Sequence, residues 1–176
     1  MTLDVPRQVA RDIKARYAGT ARRPLGGYLA VMAGYTAAVG AAAGVARLTG
    51  RRLPDRVSAG DVALLSAATF RISRLITKDT ITSPLRAPFT RFQESAGEGE
   101  VNEQPRGHGA QHAAGELFAC PFCASVWTVT GLTAGLVFAP RLTRWVAAAA
   151  TATAASDFLQ LAYARARHAA NHPGDT

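Results

Sequence analysis

Gly26–Ala46 reads GGYLAVMAGYTAAVGAAAGVA, 21 consecutive residues without an Asp, Glu, Lys or Arg. Wound as an α-helix at about 1.5 Å per residue, such a run is ~30 Å long, the thickness of a bilayer's hydrocarbon core. A soluble helix of this length needs a polar face, and Gly, Ala, Tyr and Thr do not supply one. The stretch therefore predicts a transmembrane helix. A secretory signal competes with that reading, because basic residues precede the run and Ala41–Ala43 imitates a cleavage site. A signal core is only about 7–15 residues long, so an uncleaved span is expected.

Averages over the chain hide this pattern: hydrophobic residues make up 48% and the mean hydropathy is +0.04, both ordinary for a globular protein. Three further apolar segments follow, near 57–76, 122–139 and 145–163. The first of these is interrupted by Asp61 near its start and by Arg71 and Arg74 near its end, and the last carries only Asp157. Trp127, Trp145 and Tyr163 stand near the expected span ends, where amphipathic rings sit at headgroup level. The expected fold is all-α: a polytopic membrane bundle of about four transmembrane helices, preceded by a short amphipathic helix.

Charge decides whether 57–76 crosses. With four spans and the amino terminus inside, twelve basic residues lie inside and six outside, Arg71 and Arg74 left uncounted. Removing that crossing reverses the bias, so the positive-inside rule favours four spans and a multi-pass cell-membrane protein with both termini cytoplasmic. Residues 1–25 form a basic cytoplasmic segment in which Val5, Val9, Ile13 and Tyr17 recur at helical spacing. Residues 26–163 form the membrane domain, with a flexible polar loop at 93–115, and 164–176 a disordered tail. The net charge of +8 and pI near 10.5 come with no zinc-finger spacing, RNP-type aromatic pattern or phosphate loop. No nucleic-acid partner is expected. The bilayer, anionic lipid headgroups, and a protein partner or a second copy are. Eighteen Arg against two Lys in an Ala-rich chain points to a GC-rich, actinobacterial genome.

Several residues invite chemistry. Cys120-Pro121-Phe122-Cys123 has the spacing at which two thiols close a small ring, and a helix start lowers the pKa of the first thiol. With His108 and His112 it also makes a four-ligand set that tetrahedral zinc accepts. The topology puts the thiols on the reducing side, however, and a Gly/Gln/Ala-rich loop does little to fix the histidines. Reduced thiols packing at a helix start, with no cofactor, is the expectation. Gly40-x₃-Gly44 and Gly131-x₃-Gly135 let helices approach closely, and packing within the chain is the preferred use. Asp157 lies at the membrane depth of Arg71, one turn from Arg74, and an intramembrane charge pair is expected.

The run FRISRLITKDTITSPLRAPFTRF (Phe70–Phe92), followed by GELFACPFCASVW (Gly115–Trp127), resembles the domain-of-unknown-function family numbered 1360, small membrane proteins of Gram-positive bacteria. The resemblance covers roughly residues 61–163. Arg74, Asp79, Pro84 and Arg86 carry its first motif, and Glu116, Cys120, Cys123 and Trp127 its second. It implies membrane location and supplies no activity. On physical grounds, Arg74, Lys78, Arg86 and Arg91 beside Asp79 suit an interface where they meet lipid phosphates or Asp79 and Glu116. Glu116 is placed at a helix amino terminus. The leading functional reading is a non-enzymatic scaffold or membrane-complex subunit. The alternatives are a thiol-dependent membrane oxidoreductase using Cys120 and Cys123, or a small transporter or channel using Asp157.

Overall fold

The computed structural model describes residues 8, 9, 12, 13, 16, 17, 23–54 and 56–171. Of the amphipathic segment at 4–17, the six described positions are helical and exposed; the rest lies outside the described residues. Five longer helices follow: α1 (Leu25–Leu48), α2 (Ala59–Thr77), α3 (Gly109–Ala119), α4 (Pro121–Phe138) and α5 (Pro140–Asn171). Between α2 and α3 lie two short helical turns, Thr80–Thr82 and Ser83–Arg86, and an antiparallel hairpin, β1 (Thr90–Gly97) and β2 (Glu100–Pro105).

Local chemistry starts the helices. Ser58 caps α2, its Oγ accepting the Asp61 N–H at 2.9 Å, which leaves Asp61 in the first turn where the helix dipole favours it. Pro121 opens α4 and Pro140 opens α5, each losing an N–H that would be unpaired in a first turn anyway.

α2 is the central helix. Its Leu65 and Ala68 are buried with Ala147 of α5, and Leu132 and Leu136 of α4 close the same cluster. Pairings along the seams fix directions. Asp61 meets Arg144, Thr151 donates to the Leu64 carbonyl at 3.2 Å, and Arg71 meets Asp157, so α2 and α5 are parallel. Gly27 abuts α3 just before α4, and Tyr35 shares a 2.9 Å hydrogen bond with Thr130, so α1 and α4 are parallel as well. With Gly135 against Thr143 at the α4–α5 turn, the four long helices run up, down, up, down.

Several expectations change. Among the described residues only α1 and α4 are long and apolar enough on their own to cross a membrane, so the expected four spans are reduced to two by this measure. Between Asp61 and Arg71, α2 has nine uncharged residues, ~14 Å of helix or half a bilayer core. The loop expected at 93–115 is instead most of the hairpin and the start of α3. Its strands are polar and show no apolar alternation; Val101 alone is buried among Glu100–Pro105. Gly97 and Gly99, at φ of +127° and +74°, turn the ribbon in a conformation that a side chain would strain. The tail expected from 164 is helical to Asn171, as Ala and Arg favour once a helix is running. Gly40 and Gly44 pack on nothing within the described residues; nothing lies within 4 Å of a Cβ built on either. The close approaches are elsewhere: a Cβ on Gly27 would sit 2.3 Å from the Gly109 carbonyl oxygen, and one on Gly115 2.4 Å from that of Phe89.

Candidate functional site

The first family-like motif gathers at the carboxyl end of α2, where the hairpin folds back over the helix. The Val101 N–H donates to the Lys78 carbonyl at 2.9 Å and the Thr80 N–H to the Gly99 carbonyl at 2.8 Å. These two bonds pin the ribbon across the helix end. Side chains from α2 then meet acids from the hairpin. Arg74 pairs with Glu100, its Nη2 close to both carboxylate oxygens. Lys78 donates to Asn102 at 3.2 Å.

Arg86 lies at the centre. Its side chain is 0% exposed and that of its partner Glu103 5%. Nε and Nη2 donate to the two carboxylate oxygens at 3.0 and 2.9 Å, the planar two-pronged match that guanidinium makes and ammonium does not. Nη1 donates to the Ile76 carbonyl at 2.9 Å, and both Nη1 and Nη2 reach the Asp79 carbonyl at 3.2 Å. A helix leaves its last carbonyls without partners inside the helix, and a cation there also meets the negative end of its dipole. Arg86 thus caps α2 while neutralising a buried acid. Thr82, Ser83 and Thr90 complete the polar shell around the pair. Burial pushes the Glu103 carboxyl up, but hydrogen bonds from Arg86 and Thr90 outweigh it and hold the group below the usual carboxylate range. Pro84 opens the turn that carries Arg86.

Arg71 holds two acids. It donates to both Asp79 oxygens, at 3.2 and 2.8 Å, and its Nε lies 3.1 Å from Asp157 Oδ2. The Nε–H makes no hydrogen bond, so the Asp157 contact is an ion pair by proximity only. Its carboxylate is 47% exposed, against 15% for Asp79. Asp79 is thus the principal partner of Arg71, and Arg74 serves Glu100. Sequence reasoning missed Glu100 and Glu103: in an apparent loop nothing distinguished them from Glu94 and Glu98.

The second motif lies on the other side of α3. Glu116 belongs to the last turns of α3, not to a helix start, and approaches Arg23 at 3.5 Å and His112 at 3.7 Å. Cys120 caps α4, its Sγ accepting the Cys123 N–H at 3.4 Å, and both thiols are free. His108 precedes α3, and His112 turns to Glu116. Among the described residues no three His, Cys, Asp or Glu side chains converge as a metal site, so the four-ligand zinc set is not assembled. His112 is thus helical and His108 borders the helix start, where a loop was expected. Cys123 also lines an apolar groove of about 350 Å³ between α1 and α4, with Tyr28, Tyr35, Val126 and Trp127.

The arrangement binds itself. Arg71, Arg74 and Arg86 are each matched to a carboxylate, and the site presents no activated nucleophile or converging metal ligands among the described residues.

A family model described as "Protein of unknown function (DUF1360)" matches residues 64–163. The matched stretch holds most of α2, the cap, α3, α4 and α5 as far as Tyr163, and omits α1. "Sporulation protein YjcA" of Bacillus subtilis (strain 168) is 34% identical over 88 residues, covering 48% of this chain and 75% of that protein. No solved structure matches.

Proposed function

The chain belongs to the DUF1360 family, and on that premise we propose that it is a non-enzymatic integral membrane protein, a scaffold or small-complex subunit. The observation that carries this is the self-satisfied cap. Of the most specific residues of the family stretch, Arg74 and Arg86 are taken up in pairing with hairpin acids and Asp79 in pairing with Arg71 of α2. On α1 and α4, apolar helix surface remains open to a partner.

Membrane embedding has its own support. A core helix of a soluble protein is mostly buried, whereas the apolar windows of α1 and α4 are 0% and 11% buried. Apolar surface of that extent in water marks an interaction site or a liability, and lipid removes the conflict. Helix directions extend the proposal to four crossings. Because α1 and α4 are parallel, crossing by both requires α2 to return between them, and α5 follows it down. Two ion pairs, Asp61–Arg144 and Arg71–Asp157, then bracket the apolar α2–α5 seam at its two ends. The positive-inside bias puts the hairpin end and both termini in the cytoplasm. The name of the Bacillus relative supports sporulation as the process in which to look for a partner.

Complementation of a host deletion strain tests the non-enzymatic reading. Cys120→Ser/Cys123→Ser and Asp157→Asn chains should restore its phenotype as the wild type does. Failure of the cysteine variant at normal protein level would favour a thiol oxidoreductase, and failure of the aspartate variant would favour transport.

A further inference from the structure

Ile81–Pro88 reads ITSPLRAP, and its one charged side chain, Arg86, points inward to Glu103. The outer surface of the segment is therefore apolar: Ile81 is 82% exposed and Leu85 71%, with Pro84, Ala87 and Pro88 exposed beside them. Single exposed apolar residues need no explanation, but five in eight residues with the only cation withdrawn form a patch. Its rim is basic. Arg106 donates to the Ala87 carbonyl at 3.3 Å, and Arg91 pairs across the ribbon with Gln104, two residues from Arg106. Arg106 directly follows β2, and its bond to Ala87 holds it beside the segment's end, while Arg91 lies near the start of β1. Both are exposed, and neither has a carboxylate partner among the described residues, unlike Arg71, Arg74 and Arg86.

We propose that Ile81–Pro88 is an interfacial wedge that seats its apolar surface at the headgroup–acyl boundary of an anionic bilayer, with Arg91 and Arg106 contacting lipid phosphates. The inference rests on the membrane reading above and deepens it by naming the lipid charge and the residues that meet it. An apolar face flanked by cations is what partitions into an anionic interface, and the segment directly follows the end of α2, where that interface lies. The Arg86–Glu103 pair makes this surface: it removes the charge from the segment and locks the turn, so no ordering is left for the membrane to impose.

Nitroxide labels in the full-length chain, in a Cys120→Ser/Cys123→Ser background and reconstituted in nanodiscs, read the depth. Leu85→Cys reports the wedge and Ala37→Cys, on α1, the membrane reading. In discs containing phosphatidylglycerol, the Leu85 label should be more accessible to oxygen than to a water-soluble nickel chelate. Arg91→Ala/Arg106→Ala should lower the preference for phosphatidylglycerol over phosphatidylcholine roughly thirtyfold, from two arginines at an anionic surface. A nickel-exposed Leu85 label with Ala37 at acyl-chain depth overturns the wedge and leaves the membrane reading standing; nickel exposure at both overturns the two together. Shielding at Leu85 in native-membrane discs but not in pure lipid assigns the patch to a protein partner and also overturns the wedge.

Discussion

Breaking the Arg86–Glu103 pair from either side should open the cap far more than deleting both partners. Arg86→Met strands a buried carboxylate and Glu103→Leu strands a buried guanidinium, and leaving one charge of a buried pair costs about 3–5 kcal/mol. The double variant removes the charges together, which by itself is close to neutral. It still frees the Ile76 carbonyl that Arg86 capped, at about 1–3 kcal/mol if water does not reach it, while the Asp79 carbonyl keeps Thr82. The double variant should therefore fall well short of the sum of the singles, with a coupling energy of about 2 kcal/mol or more. Because the pair ties the hairpin to α2 and lies outside the α2–α4–α5 apolar cluster, the loss should appear as local opening. Hydrogen exchange reads it at the Val101 and Thr80 amides, whose acceptors are Lys78 and Gly99. Additive single and double variants, or unchanged protection of Val101 in Glu103→Leu, would refute the assignment of this pair as the clamp.

Acid should open the same cap. Glu103 is held below its ordinary value of 4.5, so its stabilisation is fully present above that pH and is lost as pH falls through the lower folded-state value; a pH series of Val101 exchange checks this. Asp157→Asn should change thermal stability by less than about 1 kcal/mol, since the carboxylate is half exposed and Arg71 keeps Asp79, whereas Asp79→Asn should cost more in the same melt. Gly27→Ala should destabilise by about 1–3 kcal/mol, because its Cβ meets the backbone of Gly109. Gly40→Ala, facing open space in a helix interior, should stabilise by about 0.5–1 kcal/mol in that assay.

The long helices were legible because their signal is compositional: a charge-free run of helix length at Gly26–Ala46, and apolar runs near 122–139 and 145–163. The family stretch was legible through its Arg, Asp, Pro and Cys spacing. The hairpin was not, because its strands are polar and are held from outside, by the Lys78 carbonyl and the Thr80 N–H and by Arg74 and Arg86 reaching Glu100 and Glu103. Those acids are 26 and 17 residues from their arginines, and helical spacing carries no information over such a gap. For the same reason the sequence left Arg74, Lys78, Arg86 and Arg91 open to lipid phosphates or to Asp79 and Glu116 without naming the hairpin acids. Folding divides the basic residues, with Arg71, Arg74 and Arg86 turned to acids and Arg91 and Arg106 left outward. Gly40 and Gly44 show the limit of motif spacing: of the two small-residue patterns only Gly135 makes a close approach, to Thr143, and the close approaches to backbone fall at Gly27 and Gly115, outside both patterns.

The central claim is that the helices alternate across a membrane with the ion-paired cap on the cytoplasmic side. Cysteine accessibility in intact cells tests it most directly, using Arg52→Cys in the α1–α2 connection and Glu98→Cys at the hairpin tip, each in the Cys120→Ser/Cys123→Ser background. A membrane-impermeant maleimide should label position 52 in intact cells and position 98 only after lysis. Labelling of both positions in intact cells, or of neither until lysis, would put the two ends of the bundle on one side of the membrane and contradict the account.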